Sequence, residues 1–100
     1  MSNDLFWSYV IGFIDGDGSI FWSSKRLYLA IKCHSSWLKI LGTIGRKLHS
    51  SLRVHIGTKG YAELKTSRKS VLDFLYDRVR EFDLPVLERK WNLVQKRKEN

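Results

Sequence analysis

Two carboxylates, Asp15 and Asp17, follow an almost wholly apolar segment and have no cation beside them in the sequence. In residues 5–14 the apolar side chains fall at every angle around a helix, so a helix here must be covered on all sides. Small residues recur at every fourth position of this segment: Ser8, Gly12 and Gly16. A stripe of this kind lets a second backbone approach closely. We expect that backbone to be the same helix of a second copy of the chain.

A two-fold axis through such a helix pair would bring two copies of Asp17 together at the helix ends, where carbonyl dipoles also favour cations. The pattern therefore predicts a divalent-metal site shared by two subunits. A calcium-binding EF-hand loop starting at Asp15 is a poor alternative, because it would have Ile20 at its sixth position and Arg26 at its twelfth, where such loops carry Gly and Glu. A simple polar turn would explain the glycines, but not the apolar helix before them.

Length and composition predict one domain covering residues 1–100, because a chain of this size with 43% apolar residues can build one core and not two. The lone Cys33 excludes an intramolecular disulfide and a zinc site built on several thiolates, which suits a reducing compartment. The apolar run is shorter than the about 20 residues of a membrane span, and no secretory signal precedes it. We expect a soluble, unprocessed, intracellular protein without a membrane partner.

Charge is distributed unevenly along the chain. The net charge is +8, yet residues 1–24 contain three aspartates and no lysine or arginine, so all 18 basic residues lie in residues 25–100. A basic surface around a small acidic centre favours a nucleic acid as the partner, with counterion release as the source of affinity. A basic surface that only keeps the protein soluble is the simpler alternative.

The hydrophobic pattern predicts the element order α-β-β-α-β-β-α-α. We expect a first helix capped by Asn3 or Asp4 and reaching about Asp15, then strands over 19–23 and 27–34, and a helix capped by Ser35 or Ser36 and reaching about Leu48. A hairpin over 52–65 with its turn at 57–60, a helix capped by Ser67 and a last helix opened by Pro85 should follow. The apolar stripe of the second helix is expected in the core: Trp37, Ile40, Leu41, Ile44 and Leu48. The predicted fold class is α+β, with an antiparallel four-stranded sheet backed by helices.

The other face of this sheet is predicted to be polar. It would show Lys25, Tyr28, Lys32, Arg53, His55, Tyr61 and Lys65. Strand ribbons can enter a major groove and read base edges there, and antiparallel sheets also often leave one face in water. The excess of cations favours the nucleic-acid interpretation.

Residues 10–18, Val-Ile-Gly-Phe-Ile-Asp-Gly-Asp-Gly, match the pattern LAGLIDADG at both aspartates, at Gly12 and Gly18, and by apolar character elsewhere. With Ser19-Ile20 after the motif, the αββαββα order and the basic charge, the chain resembles a LAGLIDADG homing endonuclease over essentially its whole length. The family cuts double-stranded DNA, and its single-motif members act as homodimers on pseudo-palindromic sites. The resemblance therefore implies a homodimer, with Ser8, Gly12 and Gly16 at the interface.

The resemblance also implies roles for particular residues. Asp17 would bind Mg²⁺, and the carbonyl of Gly16 would add a ligand. In the family the metal activates water and stabilises the departing 3′ oxygen, so that both strands are cut across the minor groove with 3′ overhangs. Asp15 would be structural.

Around this centre the resemblance implies a polar residue after the second strand and a lysine near the last helix. Ser35, flanked by His34, fills the first place. Lys90 is our candidate for the second, although Arg89 is also available and a gap-free alignment puts Leu87 there.

DNA contacts are expected from the sheet face, its turns and the second helix. The candidates are Ser19, Phe21, Ser23, Lys25, Arg26, Tyr28, Lys32, His34, Lys39, Arg53, His55, Lys59, Tyr61, Glu63 and Lys65. No small-molecule substrate is expected. An intron-encoded enzyme in a bacterium, an archaeon, a phage host or an organelle fits these features, and a maturase or regulator that binds nucleic acid without cutting it is the alternative.

Overall fold

The computed structural model describes residues 3–49 and 52–99, except the side chains at positions 58, 98 and 99; the remaining positions of the predicted domain, 1, 2, 50, 51 and 100, lie outside the described residues. The elements follow the predicted order: α1 (Asn3–Asp17), β1 (Gly18–Ser23), β2 (Arg26–His34), a 3₁₀ turn (Ser35–Trp37), α2 (Leu38–Leu48), β3 (His55–Ile56), a 3₁₀ turn (Thr58–Gly60), β4 (Tyr61–Thr66), α3 (Lys69–Phe82) and α4 (Glu88–Glu99). No helix in the described part of the chain is long and apolar enough to cross a membrane.

The four strands form one antiparallel sheet in the order β1-β2-β4-β3. The two central strands, β2 and β4, pair with Ala30 opposite Lys65 and His34 opposite Tyr61. The predicted α+β fold with a four-stranded antiparallel sheet and supporting helices is confirmed.

One face of the sheet packs against the helices because the strands alternate apolar and polar residues. In β2 Leu27, Leu29, Ile31 and Cys33 are buried, as the alternation predicts, and the small Ala30 on the other face is buried as well. The four alternating residues join the buried residues of β4 and the inward faces of the helices in a single core. The opposite face, which includes Lys32 and Lys65, remains open.

Helix α1 continues to Asp17, two residues beyond its predicted end, and β1 begins at the next residue. This direct connection requires glycine at position 18, because a Cβ there would lie 2.7 Å from the carbonyl oxygen of Ile14. Asp17 is therefore the last residue of the helix, and the chain turns immediately after it into the sheet.

Three helix starts differ from the prediction. The cap of the 3₁₀ turn is His34, whose Nδ1 accepts a hydrogen bond from the Ser36 amide at 3.1 Å, so the predicted caps Ser35 and Ser36 are wrong. Ser67 does not cap α3; the cap position is Arg68, whose side chain forms no capping bond, and whose amide donates to Thr66 Oγ1. Pro85 lies three residues before the start of α4.

The second hairpin is also smaller than predicted. Strand β3 has two residues, and 52–54 form no strand. The side chain of Ile56, expected on the buried face, is 61% exposed. The alternation of apolar and polar residues overestimated the length of β3, because this strand lies at the sheet edge, where only β4 pairs with it.

The apolar stripe of α2 is only partly in the core. Leu41 and Ile44 are fully buried, but Trp37 is 41% exposed and Ile40 38% exposed, so their predicted core positions are wrong. They adjoin the exposed face of α1, where Tyr9 and Phe13 lie next to one another and Phe13 packs edge-on against Trp37. We call the exposed side chains of Leu5, Tyr9, Trp37 and Ile40 the α1–α2 apolar patch.

Candidate metal and nucleic-acid site

Asp15 is tied to the start of α4. Its carboxylate accepts the Leu87 amide at 3.0 Å through Oδ2 and at 3.2 Å through Oδ1, and Oδ1 also accepts Trp91 Nε1 at 3.2 Å. A carboxylate at a helix N-terminus is stabilised by the unpaired amides there. These bonds engage both oxygens of Asp15 in holding α4 against α1.

Lys90 lies at the same junction and makes the complementary contacts. Its Nζ donates to the carbonyl oxygens of Asp15 and Gly18, both at 2.7 Å, and of Ile14 at 3.3 Å. Cations near the last carbonyls of a helix are favourable for the same electrostatic reason. Lys90 is thus adjacent to the acidic motif, as the resemblance implied, while its catalytic role stays a prediction.

Asp17 is exposed, unlike Asp15. Within residues 3–49 and 52–99 its carboxylate has no hydrogen bond or ion pair, so its oxygens are available to a ligand. It lies close enough to the end of β2 to influence Cys33: burial, and secondly the negative charge of Asp17, raise the pKa of the Cys33 thiol. Ser35, two residues further on and half-buried, begins the 3₁₀ turn beside this end of β2.

A single chain provides only part of a metal site. Among the described residues no group of three or more His, Cys, Asp or Glu side chains could hold a metal ion. Asp17, together with the Gly16 carbonyl at the helix end, offers the hard oxygen atoms that Mg²⁺ prefers. These donors fit the ion only if a second source of ligands, such as a second copy, stands opposite them.

The two glycines of the predicted contact stripe of α1 have open space beside them within residues 3–49 and 52–99. A Cβ built at Gly12 or at Gly16 would meet nothing within 4 Å, and Ser8 is half-buried. The exposed side chains of Leu5 and Tyr9 continue the same helix face, since positions 5, 9, 12 and 16 follow helical spacing. Internal packing therefore does not account for the small residues.

The open face of the sheet carries interacting aromatic and basic side chains, which we call the saddle face. It comprises Ser19, Phe21, Ser23, Arg26, Tyr28, Ala30, Lys32, His34, His55, Tyr61, Glu63 and Lys65. Phe21 stacks on Tyr28 across β1 and β2, with Lys65 Nζ 4.9 Å from the Tyr28 ring and 5.6 Å from the Phe21 ring. Lys32 Nζ lies 5.3 Å from the ring of Tyr61. These cations are held in defined places by cation–π contact.

Several predicted DNA-contact residues lie outside the saddle face. Lys25 is in the two-residue turn between β1 and β2 and lines a pocket of about 370 Å³ on the helix side of the sheet, so its predicted place on the sheet face is wrong. Lys59 is in the exposed 3₁₀ turn before β4. Lys39 lines a groove of about 800 Å³ between α2 and the 52–54 segment. Arg53 lines the same groove and belongs to no strand, so its predicted place on the sheet face is wrong.

Two groups of the site were not found by sequence reasoning: the indole of Trp91 and the Leu87 amide. Both bind Asp15 across more than 70 residues of sequence. Helical spacing places Trp91 on the buried side of α4 but does not indicate that its N–H requires an acceptor there. The pockets of about 800 and 370 Å³ are also lined by Arg46, Lys69 and Arg97, which no sequence motif had indicated.

The fold is that of the LAGLIDADG homing endonucleases, which confirms the resemblance at the level of structure. One similar solved structure is the LAGLIDADG meganuclease I-AabMI bound to uncleaved DNA, with a TM-score of 0.70 and 22% identity over 95% of this chain and 35% of that one. Another is the homing endonuclease I-TnaI, with a TM-score of 0.68 and 19% identity over 93% of this chain and 69% of that one. A third is the homing endonuclease I-CvuI in complex with its target in the presence of 2 mM Ca, with a TM-score of 0.57 and 17% identity over 76% of this chain and 55% of that one. The chain thus spans about a third of I-AabMI. No family model and no curated protein matches the sequence.

Proposed function

We propose that this chain is one subunit of a homodimeric, site-specific DNA endonuclease of the LAGLIDADG type. The observation that carries the proposal is the exposed Asp17 carboxylate at the end of a helix whose glycines, Gly12 and Gly16, contact no other part of the described structure. A second α1 packed along that stripe would bring a second Asp17 to the same place. The α1–α2 apolar patch would be covered by the same association, which accounts for its exposure.

In this proposal the saddle faces of the two subunits bind successive halves of a pseudo-palindromic duplex. The saddle-face cations would contact phosphates and guanine edges, and the exposed aromatic and polar side chains would contact other bases. Asp17 and the Gly16 carbonyl of each subunit would hold Mg²⁺, which would supply Lewis-acid assistance to phosphodiester hydrolysis. In this family such cleavage leaves 3′ overhangs. The chain's own contribution is to position the acids and to align the duplex over them.

The test is selection of cleaved sites from a randomised duplex library in the presence of Mg²⁺. We expect recovered sites with two-fold related half-sites and 3′ overhangs, and no cleavage when EDTA replaces Mg²⁺. Capture of particular sequences without cleavage would instead support the second interpretation, a binding protein such as a maturase or regulator. Cleaved sites without symmetry would contradict the homodimer.

A further inference from the structure

We propose that Lys90 and Asp15 are positioning residues that fix the backbone carrying Asp17. Together with Trp91 and the backbone groups that they bind, they form what we call the α1–α4 capping cluster. The inference rests on the proposed function, because it concerns how the candidate metal ligand is held.

The segment around Asp17 needs external support. Asp17 stands between Gly16 and Gly18, and glycine loses more conformational freedom on ordering than any other residue. The Lys90 ammonium lies 2.7 Å from the carbonyl oxygens of both Asp15 and Gly18, which flank this stretch. One side chain therefore fixes the backbone on both sides of the candidate metal ligand.

The contacts of Lys90 can occupy its whole ammonium group. An ammonium has three N–H donors and no acceptor, and Lys90 Nζ has three carbonyl oxygens within hydrogen-bond distance, those of Ile14, Asp15 and Gly18. A direct contact with a DNA phosphate would require it to leave at least one of them. Its geometry is that of a residue that organises the end of α1.

The two halves of the capping cluster support one another. The carboxylate of Asp15, on the last turn of α1, binds the start of α4, while the ammonium of Lys90, on the first turn of α4, binds the end of α1. Each charge lies at the helix end whose dipole stabilises it. Loss of either side chain leaves part of the other helix end without a partner, so substitutions of Asp15 and Lys90 should have similar effects.

A positioning role and a purely electrostatic one predict opposite changes in metal affinity. Removing a positive charge near Asp17 would by itself strengthen the binding of a divalent cation. Loosening the backbone around Asp17 would weaken that binding, because the ligand would have to be ordered when the metal binds.

Hydrogen exchange of the protein alone tests the structural half of this inference. Lys90→Met should accelerate exchange of the amides of residues 16–19 at least tenfold, while the amides of Leu29 and Ile31 in β2 keep their rates. Lys96→Met, which removes the same charge from an exposed position of α4, should change neither group. Unchanged exchange at 16–19, or equal acceleration in β2, would overturn the inference.

Asp15 supplies a graded comparison in the same experiment. Asp15→Asn keeps one acceptor oxygen, but it removes the negative charge and places an amide N–H group where Oδ2 accepts the Leu87 amide. Its exchange at residues 16–19 should therefore lie between that of the wild type and that of Asp15→Ala. Asp15→Ala removes both acceptors and should behave like Lys90→Met. If Asp15→Ala protected residues 16–19 normally, the two side chains would not act as one unit.

Cleavage of a selected site as a function of Mg²⁺ concentration tests the functional half. For Lys90→Met we expect the half-saturating Mg²⁺ concentration to rise about tenfold, equivalent to about 1.4 kcal/mol, while the rate at saturating Mg²⁺ stays near that of the wild type. A lower rate at saturation with unchanged half-saturation would assign Lys90 a direct catalytic role and refute positioning. Absence of cleavage by the wild type would refute the proposed function, and the exchange result would still decide how Asp17 is held.

Discussion

Gly12→Ala should stabilise the separate subunit and weaken the dimer, two effects of opposite sign from one methyl group. A Cβ at this position meets no described residue within 4 Å, and alanine is better than glycine in a helix interior by about 1 kcal/mol. At a close contact between two α1 helices the same methyl group must force the backbones apart, and overpacking costs about 1 to 3 kcal/mol. The dissociation constant should therefore rise about 5- to 150-fold. Gly12→Leu should have the larger effect.

Sedimentation equilibrium over a range of protein concentrations measures the dissociation constant of the dimer. Urea unfolding at protein concentrations below that constant measures the free energy of unfolding of the separate subunit. Gly42→Ala is a matched control in α2, because its Cβ would contact only the mobile end of Arg46, at 3.3 Å. We expect it to stabilise the subunit without changing association. If Gly12→Ala left the dissociation constant unchanged, or if both variants raised it equally, the glycine stripe would not be the interface.

Three further experiments test other parts of the structure. Asp17→Asn should abolish cleavage while leaving DNA affinity within about tenfold, since phosphate contacts persist; cutting and filter-binding assays measure the two, and full cutting would refute the role of Asp17. Ser24→Asn should raise the free energy of unfolding by up to about 1 kcal/mol, because Ser24 and Lys25 both have positive φ (50° and 66°) in a hairpin turn where Asn is favoured; a lower urea midpoint would contradict this. Because the pKa of Cys33 is raised, less of its thiol is ionised at any given pH, and its alkylation should require a more alkaline solution than that of a free cysteine. Asp17→Asn should lower this pKa and speed alkylation at a fixed pH. An unchanged alkylation rate would show that the charge of Asp17 does not influence the Cys33 thiol.

The central sheet could be predicted because its signals are local. In β2 every second residue from Leu27 to Cys33 is apolar and buried, and this alternation determines both the strand and the face that it buries. The motif likewise located the end of α1 to within two residues. Short-range patterns of this kind do not depend on the rest of the fold.

Patterns that depend on distant parts of the chain were predicted less well. The spacing of Trp37 and Ile40 is that of an amphipathic helix, but periodicity does not distinguish burial in the core from exposure on an association surface. The bonds between Asp15 and the start of α4 join residues 72 and 76 positions apart, and no spacing rule relates them. The candidate acid could thus be predicted from the sequence, whereas the groups that hold its backbone required the structure.

The contacts among Phe21, Tyr28 and Lys65 have a consequence for how the proposed DNA-recognition surface can change. Since the ammonium of Lys65 rests against both rings, replacing either aromatic residue moves a charge that belongs to a different strand. Neighbouring substitutions that share a partner are commonly non-additive. A new preference for a base pair would therefore be acquired more readily by exchanging all three residues together than by accumulating independent single changes, and libraries that randomise them jointly should contain variants that stepwise selection misses.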